Sequence, residues 1–131
     1  MATAIHSLIN IMLINISNHP SEKWSQRQLE ASLSYGALVT DIPFPTIDAS
    51  SANDEIIADA DKYSNEIIKH YNPETDAIHI MGEMTFTYSL VKRLRKAGFR
   101  CVASTTERVK QQLPDGSFIS EFRFQSFRDY E

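Results

Sequence analysis

The sequence predicts an α/β fold: a Rossmann-like three-layer sandwich with a mainly parallel sheet and a C-terminal β-hairpin. Three observations carry this. Strand-like and helix-like patterns alternate from the N-terminal region to about residue 103. The run at 8–16 is rich in Ile and Leu, as in a strand buried on both faces. The tail then changes character, with an aromatic stretch that follows the turn signal Pro114-Asp115-Gly116.

The elements follow in order. The strand at 8–16 stops at Ser17-Asn18-His19-Pro20. Ser25, with Gln28 three residues on, has the form of a capping box and opens a helix to about Tyr35, with Gly36 as its C-terminal cap. Residues 37–42 form a second strand, ended by Pro43-Phe44-Pro45 because proline cannot continue a central ladder. Asn53 is the expected N-cap of the next helix, with Asp54 and Glu55 in its first turn where the helix dipole favours acids. Ile56, Ile57, Ala60, Tyr63, Ile67 and Ile68 recur at spacings of three and four, the stripe of an amphipathic helix. Asn72-Pro73 ends it.

Residues 77–81 form the third strand. Phe86, Leu90, Val91 and Leu94 give the third helix its apolar stripe, basic residues fill its last turns, and Gly98 closes it. The fourth strand is 99–103. Strands at 109–113 and 117–127 form the hairpin. Phe118, Phe122, Phe124 and Phe127 mix even and odd positions, so a bulge or register change is expected there. The order is β-α-β-α-β-α-β-β-β in one domain spanning 1–131.

Composition narrows the function. The chain has 131 residues, 42% hydrophobic and 23% charged, which suits one domain with one core. A net charge of −4 argues against a broad surface for duplex nucleic acid but leaves room for a small anion in a local pocket. Cys101 is the only cysteine and sits in an apolar strand pattern, so it reads as a buried core thiol. No two histidines have metal-ligand spacing, and no metal or cofactor is expected; His6 and His70 carry no signal. The apolar run at 8–16 is too short to span a bilayer and lacks the flanks of a signal peptide, so a cytoplasmic protein is expected. Residues 1–7 carry no structural signal.

The strand tips carry the candidate chemistry. In open α/β sheets, ligands bind outside the carboxyl ends of the strands. The first tip offers Ser17, Asn18 and His19; histidine titrates near neutrality and suits an acid, a base or a phosphate donor. His79 alternates within a strand and reads as structural. At the third tip, Gly82-Glu83-Met84-Thr85 joins strand to helix: Gly82 lets a ligand approach the backbone, and free amides at the helix start favour an anion. Glu83 would repel that anion unless it faces a base, a ribose hydroxyl or Arg108. Ser104-Thr105-Thr106-Glu107-Arg108 follows strand four, with three hydroxyls and a guanidinium able to surround a phosphodiester. Trp24 reads as packing. Phe44 suits a base stack or a buried plug equally. Neither a G-x-G-x-x-G fingerprint nor a Walker A motif is present, which removes the best support for NAD and ATP-hydrolase readings.

Taken together, Asn15-Ile16-Ser17-Asn18-His19-Pro20, the Met81-Gly82-Glu83-Met84-Thr85 turn, and Ser104-Thr105-Thr106-Glu107-Arg108 with the hairpin end Phe127-Arg128-Asp129-Tyr130 resemble small CRISPR-associated Rossmann-fold (CARF-like) proteins. The resemblance runs from about residue 13 to 130. It implies binding of a cyclic oligoadenylate, the second messenger of type III CRISPR defence, by a homodimer with the ligand across its twofold axis. A chain of this size has no room for a fused effector, and stand-alone members resemble ring nucleases, hydrolases that cut the messenger without a metal. Carried over, Ser17, Asn18, Gly82, Thr85, Ser104, Thr105 and Thr106 would bind the ligand. His19 or Glu83 would take the proton of the attacking ribose 2′-hydroxyl, and Arg108 would stabilise the phosphorane. Two other classes stand beside this one. A sensor or sequestering module would bind tightly and not cleave. An interaction scaffold in a defence complex would show no nucleotide-dependent thermal shift.

Overall fold

In the first strand, Leu13, Ile14 and Ile16 are fully buried, yet adjacent residues of a strand point to opposite faces. That strand must therefore be covered on both sides. The computed structural model describes residues 11–131, and β1 spans Met12–Ser17. The part of the expected strand at 8–10, and residues 1–7, lie outside the described residues. The remaining strands are β2 (Leu38–Asp41), β3 (Asp76–Met81), β4 (Arg100–Gln112) and β5 (Phe118–Asp129). The helices are α1 (Gln26–Ser32), α2 (Asn53–His70) and α3 (Met84–Lys96), with a 3-10 turn at Ser21–Lys23.

The five strands form one sheet in the order β2-β1-β3-β4-β5. The first four are parallel, and β5 is antiparallel to β4. Two cores follow from the alternation. Ile14, Ile16, Ile78, Ile80 and Cys101 pack with Ile56, Ala60 and Ile67 of α2 and Phe86, Leu90 and Leu94 of α3. Leu13, Ala77 and Val102, their neighbours in sequence, pack instead with Trp24, Tyr35, Val39 and Phe127. Burial pushes the Cys101 thiol up to about 12, so it is inert at neutral pH. No helix among the described residues is long and apolar enough to cross a membrane.

Three sequence expectations need correction. The fourth strand does not stop at residue 103. It runs on through Ser104–Arg108 to Gln112 and absorbs the expected strand at 109–113. Its polar residues suggested a loop, but β3 pairs with β4 only at Arg100–Val102. Beyond that point β4 has one neighbour, β5, and a two-stranded ribbon keeps solvent on its surfaces. The expected register change is present between Thr105 and Thr106. Second, Gly36 does not cap α1 in a left-handed conformation; among the described residues only Gly98 and Gly116 have positive φ. A Cβ at Gly36 would strike the backbone of Met12 and Leu13, so glycine is needed there for close approach to β1. Third, Ala52 rather than Asn53 occupies the N-cap of α2.

Candidate functional site

Two polar residues interrupt the apolar strands at matched positions. Asn15 of β1 and His79 of β3 are register partners, and they are 1% and 2% exposed. Buried polar groups must find partners, and these do. Asn15 Nδ2 donates to the His19 carbonyl at 2.9 Å and to Asp41 Oδ1 at 2.8 Å. Asn15 Oδ1 receives Ser17 Oγ at 2.8 Å and lies 2.8 Å from His79 Nδ1. The amide thus uses both hydrogens and both lone pairs. On the far side of the ring, His79 Nε2 is 2.7 Å from Ser104 Oγ, and that hydroxyl oxygen accepts from Gln28 Nε2 at 3.1 Å.

This chain fixes the geometry of the strand tips. Ser17, the His19 backbone and Asp41 are held through Asn15, and Ser104 is held through His79. Ser25 Oγ accepts from Gln28 N at 3.2 Å, so the cap foreseen in the sequence forms, while the Gln28 side chain turns to Ser104 instead of back to Ser25. Trp24 donates its indole N–H to the His19 carbonyl at 3.0 Å and stands edge-on to His79, as does Phe127. Burial in this apolar cage, with His19 nearby, lowers the His79 pKa from 6.5 to about 4. The ring is neutral at neutral pH. Burial works against the charge of Asp41, but hydrogen bonds from Asn15 and Ser21 hold its carboxyl below the ordinary value.

Above the network lies a cavity of about 710 Å³. It opens at the carboxyl ends of β1 and β3, the adjacent strands from which the chain leaves in opposite directions, to β2 on one side and β4 on the other. This is the topological switch point of the sheet, where open α/β folds bind ligands. Ser17, Asn18, His19, Gly82, Ser104 and Thr106 line it, together with Lys23, Ser25, Gln28, His79, Met81, Phe122 and Phe124. Its lining holds one lysine and no carboxylate. A second cavity of about 790 Å³ shares Met81 and Gly82 and lies along α3, with Tyr88, Lys92, Arg95 and Lys96. No comparable buried network supports it.

Six of the ten residues singled out in the sequence therefore meet in one cavity, and four do not. Glu83 caps α3. Its Oε2 accepts from Phe86 N at 2.8 Å, and its Oε1 accepts from Thr85 N at 3.1 Å and Thr85 Oγ1 at 2.7 Å. Those bonds hold its carboxyl below the ordinary range and occupy the amides that an anion would need. Thr85 is spent on the same cap. Thr105, by strand alternation, faces away from Ser104 and pairs with Ser126 Oγ at 2.9 Å. Arg108 is exposed on the ribbon, with its guanidinium on Ser120 Oγ at 3.2 and 3.3 Å. The space over Gly82 is also taken: a Cβ there would collide with the Phe44 ring, which packs edge-on against Phe86. Phe44 is a plug. The sequence reading missed Asn15, Lys23 and Gln28 and assigned His79 a structural role only.

Among the described residues, no group of three or more His, Cys, Asp or Glu side chains is arranged to hold a metal ion. Residues 11–128 match the model of the family described as "Uncharacterized protein MJ1673 family", and the chain belongs to that family. No curated protein and no solved structure matches the chain.

Proposed function

We propose that this member of the MJ1673 family binds a cyclic oligoadenylate of type III CRISPR defence in the switch-point cavity and cuts it, ending the signal. The observation that carries this reading is convergence. Three separate segments of the chain bring hydroxyls, two amides, two histidines and a lysine to one cavity, with two phenylalanines on its ribbon wall. Those groups match the parts of a nucleotide: hydroxyls for ribose, Lys23 for phosphate and Phe122 for the base. The reading includes the CARF-like resemblance, a Rossmann-like three-layer arrangement and a cytoplasmic setting.

Cleavage needs alignment more than reactive groups. The ribose 2′-oxygen forms a bond to the adjacent phosphorus as the bond from phosphorus to the 5′-oxygen breaks. The 2′-hydroxyl proton passes to the His19 imidazole, and the departing 5′-oxygen takes one from the Lys23 ammonium. Lys23 also steadies the negative charge on the phosphorane, the role first given to Arg108. A cyclic ligand on a twofold axis calls for two copies of the cavity, hence an isologous homodimer. Phe118 of the ribbon, 66% exposed and outside the cavity lining, gives a second copy an apolar contact to cover. A monomeric mass by light scattering, with and without ligand, would contradict the dimer.

A binding-only role is the second reading. Of the three side chains expected to act in catalysis, only His19 reaches the cavity, which favours a module that sequesters the messenger. One experiment separates the two: pure protein with cyclic tri-, tetra- and hexa-adenylate, with and without EDTA, followed by binding and by product analysis. We expect one ring to bind and to be cut equally well in EDTA. His19→Ala should slow cutting more than it weakens binding. Lys23→Ala should weaken binding by roughly tenfold, the low end of a charged hydrogen bond at an exposed site. Tight binding without products selects sequestration; no binding by any ring overturns the proposal.

A further inference from the structure

The hydrogen-bond network has a direction, and the direction can be read from its fixed end. Asn15 Nδ2 faces two groups that only accept, the His19 carbonyl and the Asp41 carboxylate. The orientation of the amide is therefore settled by its partners rather than by its shape. Its oxygen must face His79, so His79 Nδ1 carries the hydrogen and donates to it. The ring is neutral, which leaves Nε2 with a lone pair and no hydrogen. Ser104 Oγ, 2.7 Å away, must then donate its only hydrogen to Nε2. The Gln28 amide can meet Ser104 only through its NH₂ group, which fills one of the two lone pairs of the hydroxyl.

One capacity remains on Ser104: a single lone pair, on a half-buried side chain lining the cavity. A serine hydroxyl normally rotates to donate or accept as a ligand requires. This one cannot, because its hydrogen is held from below. We propose that Ser104 is a specificity-determining residue that only accepts, and that it takes the 2′-hydroxyl hydrogen of a ribose other than the one whose 2′-oxygen attacks; His79 and Asn15 act as positioning residues that hold it in that state. This inference rests on the proposed function and extends it to one atom. The ribose is favoured over the adenine amino group by the connections of Ser104. Through His79 and Asn15 it is joined to Ser17 and the His19 backbone, at the strand tips that carry the groups suited to sugar and phosphate, whereas Phe122 and Phe124 lie on β5. A site built to receive a hydroxyl rejects the analogue that lacks it, since the protein atom is left unpaired.

The test has a ligand-free arm and a ligand arm. Nitrogen-15 NMR of the imidazole in the free protein should show His79 as the Nδ1–H tautomer. The Nε2–H tautomer would reverse the polarity of the network and overturn the inference. In the second arm, the ring that binds is compared with its 2′-deoxy form and with the inosine ring, which lacks the amino donor. The parent protein should prefer the ribose form over the deoxy form by about 2- to 10-fold, the scale of one neutral hydrogen bond. Ser104→Ala, which leaves a methyl group in a half-buried position, should bind both with equal affinity. Should it still discriminate as the parent does, Ser104 is not the receptor of that hydroxyl. Should it lose discrimination against the inosine ring instead, the group served is the base and the ribose assignment fails. If no ring binds the parent protein, the proposed function falls and this inference falls with it. If rings bind and only the cycle fails, the proposed function stands alone.

Discussion

Asn15→Leu is expected to destabilise the protein by about 3 kcal/mol, the scale of leaving one buried donor unpaired and losing its hydrogen bonds. The two side chains have similar reach, so the change removes four hydrogen-bonding capacities without opening a large void. Asp41, Ser17 and the His19 carbonyl lie near the surface and can turn to water. The Nδ1–H of His79 cannot, because Trp24 and Phe127 enclose the ring. Urea unfolding at pH 7 measures the difference. A loss of less than about 0.5 kcal/mol, the range of ordinary surface changes, would mean that the buried network contributes little to folding.

The second large effect is a loss of stability in weak acid. His79 has a folded pKa of about 4 against 6.5 when free. Between these values the unfolded chain binds a proton that the folded chain refuses, so stability rises with pH across this window and falls as pH is lowered from 6.5 to 4. A gap of about 2.5 corresponds to about 3 kcal/mol at most. Asp41, Asp48, Asp115, Asp129 and Glu83 have lowered pKa values. Their contributions are lost on acidification through and below the normal carboxylate range, below most of the histidine window. Urea midpoints measured at pH 7, 6, 5 and 4.5 should therefore decline in the parent and stay nearly level in His79→Gln. An equal decline in both would assign the acid sensitivity to other groups.

Much of the fold was legible in the sequence because it depends on periodicity. The continuous apolar run of β1 and the three-and-four spacing of α2 and α3 report burial directly: the α3 stripe and Ile56, Ala60, Tyr63 and Ile67 of α2 lie in or against a core, while Ile57 and Ile68 of the expected α2 stripe are exposed. The length of β4 was not legible. Hydroxyl and charged residues mark a loop in a buried parallel strand, but they are tolerated on a ribbon with one neighbour, and only the antiparallel pairing with β5 distinguishes the two. The site divides in the same way. Residues at strand ends were found because topology places strand ends together. Glu83 was misjudged because an acid at a strand-to-helix turn can face a ligand or cap the helix, and the choice depends on rotamer, not on spacing. Arg108 was misjudged through the error in β4. The signal that was missed was present: a polar residue within each of two apolar strands, Asn15 and His79. Each alone suggests a tolerated interruption. Their register alignment, which makes them a buried pair, is a property of the sheet.

Whether the switch-point cavity receives a cyclic oligoadenylate is measured by a chemical-shift map of the backbone amides and the Trp24 indole during titration with cyclic tri-, tetra- or hexa-adenylate. Saturable shifts are expected at Ser17, Asn18, His19, Lys23, Gln28, Ser104 and Thr106, with the indole N–H moving because it shares the His19 carbonyl. Shifts confined to Tyr88, Lys92, Arg95 and Lys96 along α3, or none with any ring, would contradict it.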